Sequence, residues 1–197
     1  MPDSETIRVY DRRAGAYAEM NGEHNAADPR LRAFITACPK GGRVLDPGCG
    51  PGASAAAMAR AGLRVEATDA SAEMAARAAR HGGVDARQAT FDDIRAEALY
   101  DGIWANFSLL HAPRTEFQRH LAALYRALKP GGVLMIAMKL GVGEARDKIG
   151  RFYCYYSAEE LESHLARAGF TVTDRTFGSG PGLDGSVSDW VSVSARG

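Results

Sequence analysis

Apolar positions along this chain switch between two periods. Ile7, Tyr10, Ala14 and Tyr17 recur at steps of three and four residues, which predicts an amphipathic helix over about residues 5–20. Arg8, Arg12 and Arg13 fall on its solvated side. Residues 21–29 are polar, rich in Asn, Gly and Ala, and predict a mobile loop. Pro29 is a favoured first helical residue and opens a helix to Ala37, with Leu31, Phe34 and Ile35 inward. Short apolar runs then alternate with alanine-rich helical stretches. Strands are predicted from Val44, over 63–68, 84–89 and 100–106, and over 133–138. Helices are predicted over 53–61, 72–80 and along the stripe Phe117, Leu121, Leu124, Leu128.

Such alternation is what a parallel βαβ sheet requires. Gly62 and Gly82-Gly83 stop the helices between strands, and Pro130-Gly131-Gly132 stops the Phe117 helix. The run 133–138 is apolar at nearly every position, as in a strand buried on both faces. Ser157-x-x-Glu160 reads as a capping box, opening a helix with Leu161 and Leu165 inward and Gly169 at its end. Residues 170–177 and 186–195 read as two strands of an antiparallel hairpin, joined by a glycine-rich loop over 178–185. Trp190 is expected to pack under a flanking helix.

The chemistry concentrates where the first strand ends, at Val44-Leu45-Asp46-Pro47-Gly48-Cys49-Gly50-Pro51-Gly52. Gly48 and Gly50 let the backbone turn tightly and a ligand approach closely. The following helix points unpaired N–H groups at that ligand. Asp46 adds a carboxylate at the carboxyl end of the strand, where open α/β sheets bind ligands. Two nucleotides compete for such a loop. Gly48-x-Gly50-x-x-Ala53 satisfies the loose dinucleotide fingerprint, and Asp69 stands where a ribose-binding acid belongs. Yet Asp46 would repel the pyrophosphate of NAD, and Pro51 removes an N–H from the turn. A ligand with a ribose, no phosphate and cationic groups beside the sugar would welcome the carboxylate. S-adenosylmethionine is such a ligand.

Leu45-Asp46-x-Gly48-Cys49-Gly50-x-Gly52 resembles motif I of the class I S-adenosylmethionine-dependent methyltransferases. Val65-Glu66-Ala67-Thr68-Asp69-Ala70-Ser71 is similar to the family's second strand with its ribose acid, and Leu128-Lys129-Pro130-Gly131-Gly132 to the turn before its fifth strand. Pro47 departs from the usual leucine or isoleucine. The resemblance spans residues 40–138 closely and both ends more loosely. It implies a Rossmann-like α/β fold, with a seven-stranded, mostly parallel sheet in the order 3-2-1-4-5-7-6. The last hairpin is antiparallel and helices cover both faces.

The resemblance also implies site residues. Asp46, Gly48, Gly50, Gly52, Asp69 and Ala70 would hold the cofactor. Tyr10-Asp11-x-x-Ala14-x-x-Tyr17 is similar to an entrance segment, with Tyr17 reaching the methionine end. Met74 would pack on the adenine, although core packing is an equal reading. Thr90 falls where the family often has an adenine-binding acid, Phe91 is placed to stack on the ring, and Asp92 and Asp93 read rather as caps. Asn106-Phe107-Ser108-Leu109-Leu110-His111 closes the fourth strand beside the transferred methyl group. His111 is the candidate general base, with a capping or core histidine as the alternative.

Residues 139–156 read as a substrate lid. Flexible Gly141 and Gly143 precede the aromatic cluster Phe152, Tyr153, Tyr155 and Tyr156, and Arg146, Lys148 or Arg151 would meet an anionic acceptor group. Tyr10, His111, Arg151 and Tyr153 are the candidate substrate contacts. The division is then a single domain: a helical cap over 1–39, a cofactor-binding core over 40–138, a lid over 139–156, and a helix with the hairpin over 157–197.

Composition narrows the partners. At 197 residues, with 46% apolar and 24% charged, the chain suits one globular domain. Lys and Arg total 24 and so do Asp and Glu, with no basic tract for nucleic acid. The polar, acidic start and the absence of a long apolar run predict a cytoplasmic protein off the membrane. Cys38, Cys49 and Cys154 lack metal-ligand spacing, so no metal is expected. A small-molecule substrate and a monomer or homodimer are expected. A nicotinamide-dependent oxidoreductase and a non-catalytic nucleoside-binding member of the fold are the alternatives.

Overall fold

A computed structural model describes residues 3–197, with side chains for all of these except 21–27. Strands β1 (Arg43–Pro47), β2 (Arg64–Asp69), β3 (Val84–Gln88), β4 (Tyr100–Asn106) and β5 (Leu128–Lys139) are parallel. A short ribbon, β6 (Glu144–Arg146) with β7 (Phe152–Cys154), follows, and then the antiparallel hairpin β8 (Thr171–Pro181) and β9 (Val187–Arg196). The seven strands of the main sheet run β3-β2-β1-β4-β5-β9-β8. With the ribbon left out of the count, this is the expected 3-2-1-4-5-7-6 order.

The helices are α1 (Ser4–Ala27), α2 (Pro29–Ala37), α3 (Ala53–Arg60), α4 (Ala72–Ala78), α5 (Arg114–Ala127) and α6 (Ala158–Ala168). The two-residue period of the strands sorts their side chains onto two cores. Ile103, Ala105, Leu134, Ile136 and Met138 pack with α5 and α6 on one face. Trp104, Val133, Met135 and Ala137 pack with α2 and α3 on the other. The apolar run in β5 is therefore buried on both faces, as its pattern predicted.

Four boundaries differ from expectation. Residues 21–27 continue α1 instead of forming a loop, and Asp28 then caps α2 through Arg30 N at 2.8 Å. Polar composition does not by itself break a helix, and the backbone stays helical. Leu128 to Gly132 already belong to β5, because Leu128 pairs with Tyr100 and Gly131 N donates to the Gly197 carbonyl at 2.7 Å. The hairpin ladder continues through its glycines to Pro181–Val187. The Trp190 ring covers Gly178 so closely that a Cβ there would stand 2.1 Å from it. Finally, Ser157 Oγ accepts from Glu160 N at 3.1 Å, but the Glu160 carboxylate pairs with Arg114 instead of closing the box.

Candidate functional site: two chambers at the carboxyl ends of the strands

The glycine turn leaves β1 and is fastened to β2. Gly48 N and Cys49 N both donate to the Thr68 carbonyl, at 2.7 and 2.9 Å. Gly48 has φ +77°, and a Cβ on it would lie 2.3 Å from Ser108 Cβ. The first demand for glycine here thus comes from the segment after β4, not only from a ligand. Gly52 departs from its expected role. A Cβ there would stand 2.7 Å from Ala78 Cα, so Gly52 joins the start of α3 to α4 and lines neither chamber. Its place in the motif made it look like a ligand contact, but the contact is helix packing.

Gly50 N donates to Asp69 Oδ2 at 2.8 Å, and Ser71 N to Oδ1 at 2.9 Å. Two backbone groups therefore fix this carboxylate in the lining of a cleft. Burial raises Asp69 to about 6, against the lowering effect of those hydrogen bonds. Asp46 lies deeper, 3% exposed, and its Oδ2 has no hydrogen-bond partner among the described residues. Burial, and then the charge of Asp69, push its carboxyl up to about 8. An orphaned carboxyl of this kind suits a cationic group and opposes a phosphate.

Tyr10, Tyr17, Gly48, Gly50, Asp69 and Ala70 line the first chamber, and so do Met74, Thr90, Phe91, Asn106 and His111. Met74 is 1% exposed and also lines the cleft. Thr90 caps a short 3₁₀ turn over Phe91–Asp93: its Oγ1 accepts from Asp92 N, and Asp93 accepts from Thr90. The capping reading of Asp93 holds. Asp92 meets Arg119 instead and also lines the cleft.

Past Asn106 a second chamber opens. Tyr10, Tyr17, Asp46, Asn106 and His111 border it. Arg151, Tyr153, Lys139 and Trp190 form its outer wall, with residues 180–183 of the hairpin. Asn106 Oδ1 is buried without a hydrogen-bond partner among the described residues. The next residue, Phe107, takes the left-handed backbone at φ +54°. Such strain costs on the order of 1–3 kcal/mol and clusters at functional sites.

The expected lid and N-terminal helix meet here. Phe152 N donates to Thr6 Oγ1 at 2.8 Å, and Arg146 spans Asp3 with both terminal nitrogens at 3.0 and 2.8 Å. Tyr10 Oη lies 2.8 Å from His111 Nε2, and Arg151 Nη1 donates to Tyr10 Oη at 3.0 Å. The Phe152 carbonyl, 2.6 Å from His111 Nδ1, can only accept, so Nδ1 carries the proton and Nε2 accepts from Tyr10. Burial keeps the ring neutral, lowering it to about 4. His111 thus has a partner at each ring nitrogen, Tyr10 at Nε2 and the Phe152 carbonyl at Nδ1.

Arg146 is spent on Asp3 and Glu5, away from the second chamber. Lys148 lines neither chamber. Arg151 and Tyr153 are in place. Lys139 and Trp190 went unrecognised as site residues in the sequence; the first ends a strand, and only the fold brings both to one cavity. His120 and Asp92 were likewise missed at the far end of the cleft. Asp92, Glu116 and His120 could place ligand atoms within 4.8 Å of one another, but Arg119 bridges both acids and already meets their charge.

A held acid ending β2, an orphaned carboxyl within β1 and a glycine turn after it are the features of an α/β domain that binds its ligand at the carboxyl ends of the strands. The chain belongs to the methyltransferase-domain family, whose model matches residues 17–175. The malonyl-[acyl-carrier protein] O-methyltransferase of Enterobacter lignolyticus (strain SCF1) is 35% identical over 128 residues, 64% of this chain and 50% of that protein. A ubiquinone biosynthesis O-methyltransferase of Xanthomonas oryzae pv. oryzae is 36% identical over 104 residues, 49% of this chain and 43% of that one. The chain thus spans about half the length of the curated relatives it matches. In fold it is similar to the Burkholderia thailandensis 1,6-didemethyltoxoflavin-N1-methyltransferase, solved with 1,6-didemethyltoxoflavin and S-adenosylhomocysteine. The TM-score is 0.74 at 24% identity, over 96% of this chain and 87% of that one. S-adenosylmethionine is the cofactor of this family, and the nicotinamide alternative falls with that membership. Among the described residues, no helix is long and apolar enough to cross a membrane.

Proposed function

We propose that this chain transfers a methyl group from S-adenosylmethionine to a small-molecule acceptor. The observation that carries the reading is Asp69. Two backbone N–H groups fix its carboxylate in the lining of the first chamber, leaving lone pairs for a pair of ribose hydroxyls. Asp46 would face the cationic end of the cofactor and ionise against it, and Phe91 and Met74 would flank the base. When bound, S-adenosylmethionine supplies a methyl group on an already activated sulfonium.

The chain's own share is therefore alignment and exclusion of water. Tyr10, Tyr17 and Tyr153 would shape the acceptor chamber, and the contacts of α1 with the β6–β7 ribbon would keep water out. His111 would act through Tyr10, fixing its hydroxyl. The segments 1–39, 40–138, 139–156 and 157–197 would serve as cap, cofactor core, lid and closing hairpin of one domain. Relatives named for malonyl-[acyl-carrier protein] and ubiquinone biosynthesis, and a neighbour solved with 1,6-didemethyltoxoflavin, support a small acceptor group in place of nucleic acid.

Titration calorimetry with S-adenosylhomocysteine tests the reading. Loss of hydrogen bonds to a charged partner costs about 1.5–3 kcal/mol. Asp69→Ala should thus weaken binding by roughly one to two orders of magnitude. Wild-type affinity in a folded Asp69→Ala protein would refute the assignment.

A further inference from the structure

The second chamber holds two cations that the cofactor reading does not use. Arg151 is 2% exposed. Its Nε donates to Asp147 Oδ2 at 2.8 Å and its Nη1 to Tyr10. Its Nη2 lies 2.7 Å from the same Asp147 oxygen but off the hydrogen-bonding direction, so those N–H groups are buried and unsatisfied. Lys139 ends β5 with its Nζ 4.3 Å from the centre of the Tyr153 ring, and no described carboxylate stands within ion-pair distance of it. A Cβ built on Gly182 would stand 3.4 Å from Lys139 Nζ and 3.7 Å from Arg151 Nη2. Both groups thus face one spot beneath the hairpin.

Two acids stand near them, and neither forms an ion pair with Lys139. Asp147 offsets Arg151. Asp184 receives Ser186 N at 3.0 Å and Ser186 Oγ at 2.7 Å, and it makes no ion pair with Lys139. Asp46 is largely protonated at neutral pH in the ligand-free protein. Lys139 is thus left without an ion-pair partner among the described residues, in a partly dry chamber. Burial and the neighbouring Arg151 both lower the pKa of Lys139, a cost that an anion in the chamber would relieve.

We propose that the acceptor is a small organic anion, with a carboxylate on a flat apolar body. Lys139 and the free N–H groups of Arg151 Nη2 seat the carboxylate, and Tyr153 and Trp190 flank the body. A guanidinium N–H and an ammonium together suit a carboxylate. The proposal rests on the methyltransferase reading for the identity of the chamber, and its test separates the two.

Calorimetry on the S-adenosylhomocysteine-loaded protein would compare benzoate, naphthoate and indolecarboxylate with their carboxamides and with phenyl phosphate. At least one acid should bind about tenfold or more tighter than its amide, a charge-assisted contact being worth roughly that much. Lys139→Met should erase the difference while leaving S-adenosylhomocysteine affinity unchanged, and Lys139→Arg should restore it. Equal binding of acids and amides, no binding of any acid, tighter binding of phenyl phosphate, or an acid preference that survives Lys139→Met would each overturn the proposal. Failure to bind S-adenosylhomocysteine at all would instead overturn the methyltransferase reading beneath it. Among the described residues no hydrogen bond or ion pair joins Lys139 to Arg151 or Asp147, so its replacement leaves that buried pair in place.

Discussion

At the scale of single residues, Asp46 carries the sharpest consequence. Its carboxyl is raised to about 8 by burial and by Asp69, against about 3.9 in an unfolded chain. Between those values the folded, ligand-free protein holds a proton that the unfolded chain has lost. The stability this group contributes is therefore complete below about pH 4 and is lost as pH rises through about 8. Asp46→Asn should flatten that decline in urea titrations run across the range. Parallel curves for mutant and wild type would mean that the charge is buried elsewhere. The sign reverses for ligand binding. A cation beside Asp46 favours the ionised form, so S-adenosylmethionine affinity should rise with pH up to about 8 and binding should release a proton. Calorimetry in buffers of different ionisation enthalpy would detect that proton.

At the scale of elements, the link between α1 and the β6–β7 ribbon is the most consequential packing. Asp3 serves twice. It caps α1 through Thr6 N at 2.8 Å and receives both terminal nitrogens of Arg146, which hold its carboxyl well below the usual range. Thr6, 4% exposed, gives its hydroxyl oxygen to Phe152 N. Thr6→Val keeps the shape and leaves that N–H without an acceptor, a loss of about 1–3 kcal/mol. Hydrogen exchange should then quicken in residues 4–10 and 144–153 together. Faster exchange in α1 alone would show that the two segments open independently. Much of this element pattern was legible in the chain. Helical spacing located α1, and aromatic clustering marked residues 152–156. The antiparallel ribbon within 144–154 was not legible, because three-residue strands carry too few positions for a period. The continuation of α1 past Asn21 was hidden for a related reason: a polar stretch reports solvent, not backbone geometry.

At the scale of the molecule, the sheet divides the work about β4. The β2 side carries Asp69 and Ala70 with Met74 beyond them, and the β5–β9–β8 side carries Lys139, Trp190 and the hairpin. Asn106 and Phe107 stand between. The first half was readable because its residues lie in one glycine turn and the strand after it. The second was readable only at Arg151 and Tyr153, because Lys139 and Trp190 belong to separate segments that only the fold brings together. This division makes the two halves separable by mutation. Trp190 stacks between Arg30 at 4.6 Å and the edge-on Phe107 at 5.9 Å, and its ring covers Gly178. Trp190→Phe keeps an aromatic wall but withdraws the larger ring from the acceptor chamber. For any acceptor found by isotope-labelled methyl transfer, it should lower kcat/KM by about tenfold or more while S-adenosylhomocysteine affinity stays within about twofold of wild type. Asp69→Ala should give the opposite order, with the larger effect on cofactor affinity. If Trp190→Phe weakened cofactor binding as much as turnover, the two chambers would be one site, and the acceptor would have to sit elsewhere than between β5 and the hairpin.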